Sequence, residues 1–316
     1  MYATNLNGVS NNYGENKGNG NVRTCHCKKC GRVIAPFEGK AFVGGYNGGG
    51  YICPSCDRMI GYHGGSDSKV GTTKKHGWVI SPELECNKCT DDVARYLQSL
   101  GFNKESDSTV TYEFTGRMFE GSKGLSTILK RLDEEYSHGN FDTTRDNVGT
   151  HLNISRKDAN GVNLVSLYSG ILDNYSKSLR KGLSDFLNLN PVLCSYFFGR
   201  AVGGWASAVN DYTGTYEHAV FLNFQHIEEG NGSRLEWRIC KYNSGTENGG
   251  KEAYFRTIDT CKKLTDIILK ACEDIAKIED VEGRTIANRD KRLAVCEKAN
   301  AKMIKYLKKE YVKRNA

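Results

Sequence analysis

Nowhere in its 316 residues does the chain run about eighteen apolar residues together, which excludes a membrane-spanning helix. The opening stretch, Met1 to Gly20, is rich in Asn and Gly and holds no apolar block, so no secretory signal is expected in it. Residues 1–22 read as a disordered lead-in. Missing too is the spacing of a disulfide framework. Of twelve cysteines, two CxxC pairs cluster early, while Cys194, Cys240, Cys261, Cys272 and Cys296 stand singly. Without a signal sequence, that pattern points to a reducing cytoplasm, with the early cysteines on metal and the late ones as buried thiols. A regular βαβ rhythm is absent as well. An α+β fold is therefore expected, with a largely antiparallel sheet and flanking helices.

What is present fits a soluble globular chain, with 38% hydrophobic and 26% charged residues. The length suffices for one large core, or for a large core and a small satellite module. The net charge of +7 is unevenly placed, because Val281 to Ala316 carries eleven Lys and Arg against four Asp and Glu. Residues 281–316 thus form a basic, helical C-terminal tail. Such a tail serves either as a solvated helix face or as a contact for nucleic acid or another acidic partner.

Residues 23–65 hold a small N-terminal zinc-ribbon module. Cys27-Lys-Lys-Cys30 and Cys53-Pro-Ser-Cys56 are two knuckles with 22 residues between the inner cysteines. Each CxxC sets two thiolates a zinc ion's width apart, and two such turns complete a tetrahedron. Four thiolates leave no open position, so this zinc is structural. Cys25, His26 and His63 are alternative ligands. Around Ala41-Phe42-Val43, alternation and many glycines suit short hairpins. Zinc ribbons bind nucleic acid or protein, and the module alone does not decide between them. A third pair, Cys86 and Cys89, stands alone before a helix and reads as ordinary thiols, with a metal or redox role as the alternative.

The main domain, residues 76–280, opens with a strand at Gly77–Ser81. A helix follows from Asp91 to Leu100, with Val93, Tyr96, Leu97 and Leu100 as its apolar face and Gly101 as its stop. Thr109 to Thr115 reads as a strand. Leu125, Ile128, Leu129 and Leu132 mark the next helix. In His151–Ser155, Leu152 and Ile154 face one side and His151, Asn153 and Ser155 the other. A long helix is expected from Leu164 to Phe186, strands at Ala219–Gln225 and Arg234–Cys240, and late helices faced by Ile258, Cys261, Leu264, Ile268 and Cys272.

Several strands each bring charge to one side. After the first strand, Glu83 and Glu85 stand two apart and project together. Paired carboxylates repel unless a cation lies between them, and a hard divalent ion is the natural occupant. Glu113 follows Asp107-Ser108-Thr109. His151 and Asn153 share a face, Arg200 closes Phe197-Phe198-Gly199-Arg200, and Glu236 and Arg238 share the face of a late strand. So much charge in a core is costly unless metal and an anionic ligand balance it.

In these residues the chain resembles the amidoligases, the glutamine-synthetase-like family of carboxylate–amine ligases. The resemblance spans about Gly77 to Leu269 in the family's motif order. Glu83 and Glu85 match its Glu-x-Glu pair. Asp107-Ser108-Thr109 with Glu113 is similar to its Asp-Gly-Ser turn and strand glutamate, and Gly149-Thr150-His151-Leu152-Asn153 to its Gly-x-His-x-His strand. Phe198-Gly199-Arg200 matches Phe-Gly-Arg. Glu236-Trp237-Arg238 matches the late Glu-aromatic-Arg strand, with Asn223 on the strand before it.

The resemblance implies a glutamine-synthetase-like catalytic domain that activates a carboxylate with ATP as an acyl-phosphate, which an amine then attacks. It implies that Glu83, Glu85, Glu113, His151 and Glu236 hold two Mg²⁺ or Mn²⁺ ions. Arg200 and Arg238 would grip the transferring phosphoryl group, and Asn153 and Asn223 would lie on the nucleotide. Phosphoryl transfer needs mainly positioning and charge neutralisation, which guanidinium forks and divalent ions supply. The substrates would be a carboxylate and an amine, small or borne on a peptide or other macromolecule. One position departs from the family: Asn153 stands where a second histidine is expected, removing a charge from the nucleotide side. An inactive scaffold is the alternative, its zinc ribbon and basic tail binding nucleic acid or protein.

The paired knuckles predict one zinc per purified chain. Metal analysis should show its loss in a Cys53→Ser, Cys56→Ser variant, and unchanged zinc content would refute the assignment.

Overall fold

The computed structural model describes residues 77–105, 110–120, 123–145, 148–201, 220–229, 232–245, 249–282 and 288–315, with four short strands before them. Those four are β1 (Cys25–His26), β2 (Val33–Ile34), β3 (Lys40–Phe42) and β4 (Gly50–Ile52). They pair antiparallel, β1 with β2 and β3 with β4. The expected zinc ligands Cys27, Cys30, Cys53 and Cys56, and the turn Asp107-Ser108-Thr109, lie outside the described residues.

The main body is α+β. Its strands are β5 (Gly77–Cys86), β6 (Lys88–Cys89), β7 (Asn103–Glu105), β8 (Tyr112–Thr115), β9 (Phe141–Asp142), β10 (Thr150–Lys157), β11 (Leu222–Asn223) and β12 (Leu235–Trp237). Six of them form one antiparallel sheet in the order β11-β12-β10-β5-β8-β7. The helices are α1 (Asp91–Ser99), α2 (Lys123–Ser137), α3 (Leu164–Leu167), α4 (Ser169–Leu189), α5 (Pro191–Phe198), α6 (Gly250–Glu282) and α7 (Arg289–Asn315). None among the described residues is long and apolar enough to cross a membrane.

The opening strand runs five residues further than expected. Pro82 lies inside it, although proline cannot donate to a ladder. Ile80 exchanges both backbone bonds with Phe119, so even-numbered amides of β5 point away from β10. The missing donor of Pro82 therefore falls between that bridge and the start of β8, which pairs only from Leu84 onward. No ladder bond is lost. Glu83 and Glu85 consequently sit within the strand rather than after it. The late strands are shorter than expected, because the chain turns at Arg238 and Ile239, whose amides both donate to Phe221 O. The long helix breaks at Tyr168 into α3 and α4.

One face of the sheet is apolar and the helices cover it. Ile80, Leu84, Leu152, Ile154 and Trp237 are fully buried there, with Leu129, Leu183, Ile258, Leu264 and Ile268 from the helices. Trp237 donates through Nε1 to Thr265 Oγ1 at 3.0 Å, tying the sheet to α6, and Phe198 stacks on its ring. The late cysteines Cys194, Cys240, Cys261, Cys272 and Cys296 are buried thiols, as expected. Helix α7 joins the same core through Cys296, Met303 and Leu307. It crosses α4 where Gly182 leaves room, for a β-carbon there would meet Asn300 Cβ at 2.9 Å. Asn300 also accepts from Leu183 N and donates to Ser178 O, both at 2.8 Å.

The Phe198-Gly199-Arg200 turn pins α5 along the strand-exit segment 238–243. Phe198 O accepts from Lys241 N at 2.8 Å, and Gly199 O from Asn243 Nδ2 at 2.9 Å. Gly199 holds a left-handed φ of +83°, and a β-carbon there would lie 2.2 Å from Lys241 O. Gly199→Ala should therefore cost at least about 1–3 kcal/mol, measured by urea denaturation. An unchanged midpoint would refute this account of the turn.

Candidate metal centre

The other face of the sheet collects the charge. Residues directly opposite in an antiparallel pair project to the same side. The register sets Glu83 against His151, Glu85 against Glu113, and Asn153 against both Ser81 and Glu236; Glu236 in turn lies opposite Asn223. Four strands thus deliver Glu83, Glu85, Glu113, His151 and Glu236 to one place. The pattern of β5, with Ile80, Pro82, Leu84 and Cys86 buried and the alternate residues half-buried, is the local cause.

His151 is the hub. Its Nδ1 lies 3.1 Å from Glu83 Oε2 and 3.3 Å from Glu236 Oε1, while Nε2 lies 3.6 Å from Glu85 Oε1. Ligand atoms of Glu83, His151 and Glu236 fall within 4.8 Å of one another, and so do those of Glu85, Glu113 and His151. Two candidate cation positions therefore flank one ring. A neutral imidazole has a single lone pair, so His151 serves one cation at a time and carboxylates must hold the other.

The electrostatics fit a divalent ion. Burial, then the charges of Glu83 and Glu85, push the Glu113 carboxyl up to about 7. Burial also works against ionised Glu83, but its bonds to His151 and Asn153 and the charge of Arg234 outweigh it and hold the group well below the usual carboxylate range. Burial opposes charge on His151 too, and its bond to Glu83 overcomes this and raises it. Oxygen donors with one imidazole are the set that Mg²⁺ or Mn²⁺ takes.

The two expected arginines stand beside the carboxylates. Arg238 lies on the turn after β12, not within the strand, yet its NH1 donates to Glu236 Oε1 at 2.7 Å. Arg200 NH2 donates to Arg238 O at 2.8 Å. Burial lowers Arg200, and the Glu85 charge opposes that. The Nε groups of Arg200 and Arg238 are buried without a hydrogen-bond partner. Both asparagines hold ligands. Asn223 Nδ2 donates to Glu236 Oε2 at 2.8 Å. Asn153 Nδ2 donates to Glu83 Oε1 at 2.7 Å, and its Oδ1 accepts from Arg234 Nε at 3.1 Å. Contact between Asn153 and a nucleotide would require one of these bonds to be exchanged.

Sequence reasoning missed the outer support. Arg234 also donates to Glu229, which meets His226 Nδ1 at 2.8 Å, and His226 Nε2 lies 3.8 Å from Glu236 Oε2. The polar side chains therefore close a ring: Glu83, Asn153, Arg234, Glu229, His226, Glu236, His151. Arg234 was legible from parity, two residues before Glu236 on the same strand face. His226 and Glu229 were not, for they sit on a turn where no periodicity speaks. Gly149 N holds Glu85 Oε2 at 2.5 Å, and a β-carbon at Gly149 would meet His151 Nε2 at 3.1 Å.

No family model matches the chain, and no curated protein matches it. The roles of these residues therefore rest on the motifs and on this geometry.

A carboxyl near 7 when folded, against 4.5 ordinarily, keeps a proton that the unfolded chain has already released. Metal-free stability should accordingly fall as pH rises between those values. Glu113→Gln removes that contribution. In chelator, urea denaturation should find the variant gaining on the parent protein across the window, and added Mn²⁺ should close the gap above it. A pH-independent difference would contradict the repulsion described here.

Proposed function

We propose that the chain is an ATP- and divalent-metal-dependent carboxylate–amine ligase. One observation carries the reading: four carboxylates and an imidazole converge on one sheet face next to two arginines with unmet donors. Repelling carboxylates ask for cations, and the arginines ask for an anion. A metal-bound nucleoside triphosphate satisfies both. The order of motifs shared with the amidoligases favours amide formation over other phosphoryl-transfer chemistry.

In this reading Glu83, Glu85, Glu113, His151 and Glu236 hold Mg²⁺ or Mn²⁺, whose charge would neutralise phosphate oxygens during transfer. Arg238, aligned by Glu236, and Arg200, anchored on the Arg238 carbonyl, orient the transferring group. Asn223 and Asn153 fix the carboxylates of Glu236 and Glu83, so each presents a chosen oxygen. The reduced, buried thiols suit a cytoplasmic setting. A second reading, a scaffold without ligase activity, draws on Asn153, whose amide is engaged on both ends inside the protein.

Manganese titration followed by electron paramagnetic resonance, together with ATP-dependent melting, tests the proposal. Mn²⁺ should bind, and Glu236→Ala or Glu83→Ala should weaken it beyond the roughly 10- to 100-fold cost of losing an outer support. Saturating ATP with Mg²⁺, at about a hundred times Kd, should stabilise the unaltered protein by about 2.7 kcal/mol. Metal binding without any effect of ATP would select the scaffold reading, and absence of both would refute the metal centre.

A further inference from the structure

Helix α7 carries ten Lys and Arg against three Asp and Glu. Its apolar face is already used, with Cys296, Ala299, Met303 and Leu307 buried in the core. At 3.6 residues per turn, Lys298, Lys302, Lys305, Lys309 and Lys313 fall within roughly a quarter of the circumference, on the side away from that core. All five are exposed. The stripe spans about 22 Å at 1.5 Å per residue.

Neighbouring α6 treats its lysines differently. Lys262 meets Asp259, Lys270 meets Glu273 and Asp274, and Lys277 meets Glu273. Among the described residues, none of the five stripe lysines has an ion pair of this kind. Like charges three and four apart repel, so the stripe weakens its own helix and returns nothing to the fold. Lys308, which lies over the Phe186 ring, packs against α4 and stands apart from it.

We propose that this stripe is a nucleic-acid contact that lies along a phosphate backbone. A straight row of compact cations matches an anion repeated at short, regular intervals, which is what a nucleic-acid strand presents. A protein partner would need a buried apolar or aromatic centre, and the only large apolar residue exposed on α7 is Val312. An anionic membrane would need an apolar helix face to insert, and that face is committed to the core. Recognition through phosphates alone carries no base preference. The inference does not depend on the metal centre.

The test uses the full chain and a fluorescein-labelled DNA duplex of about 30 base pairs, read by anisotropy against salt. Five phosphate contacts give a log–log salt slope of about −4.5, or roughly a 500-fold loss of affinity between about 50 and about 200 mM salt. Replacing all five lysines by Gln should flatten the slope by about 0.9 for each residue removed. Helix content and Mn²⁺ affinity of that variant should match the parent protein, which separates lost contact from lost fold. Unchanged affinity and slope in the variant would overturn the proposal. So would absence of binding by the parent protein, or tighter binding to phosphatidylserine vesicles than to the duplex.

Discussion

The register between β10 and β5 decides where every charged group of the site sits. Because side chains alternate, a slip of one residue would send His151 and Asn153 into the helical core and bring Leu152 and Ile154 out. Burying Leu152 and Ile154 against Trp237 and the helices therefore fixes the charged face as a by-product. Apolar packing on one side locates the chemistry on the other. The carboxylates stay together against their own repulsion because moving any one of them would uncover the core residue next to it.

Support around the cluster is uneven. On the β12 side, Glu83 and Glu236 are held by Asn153, Asn223, Arg238 and the chain through Arg234, Glu229 and His226. On the β8 side, Glu85 is held by the backbone amide of Gly149, and Glu113 faces like charge. Guanidinium and amide partners are strong, directional anchors, whereas repulsion fixes no geometry. One end of the charged face is thus preorganised and the other depends on what binds. Gly149 belongs to this division, since its lack of a side chain lets the imidazole and the Glu85 carboxylate approach the same stretch of backbone.

Much of this was legible in the residues. Period-two alternation identified the charged and apolar sides of β10 and β12, and helical spacing identified the core faces of α1, α2, α4 and α6. The five ligand candidates meet because parity within a strand survives into the sheet. The extension of β5 past Ser81 was not legible, because the sequence is silent about which edge the missing donor of Pro82 faces, and only the pairing of neighbouring strands resolves that. The early end of β12 came from tertiary demand: Phe221 O draws the amides of Arg238 and Ile239 into a turn. His226 and Glu229 carry no periodic signal, so their place beside Glu236 depends on a turn whose path the local sequence does not encode.

The crossing of α7 over α4 has a bearing on biosynthesis. Met303 and Leu307 fill the same core that Leu183 and Ile268 line, and Asn300 adds side-chain hydrogen bonds to the α4 backbone at Leu183 and Ser178. A nascent chain lacking those residues has an exposed apolar groove where α7 belongs. The core cannot close until α7 has cleared the ribosome, so α1 to α6 wait on α7 before the domain is folded. Until then the groove is a surface for chaperones to shield.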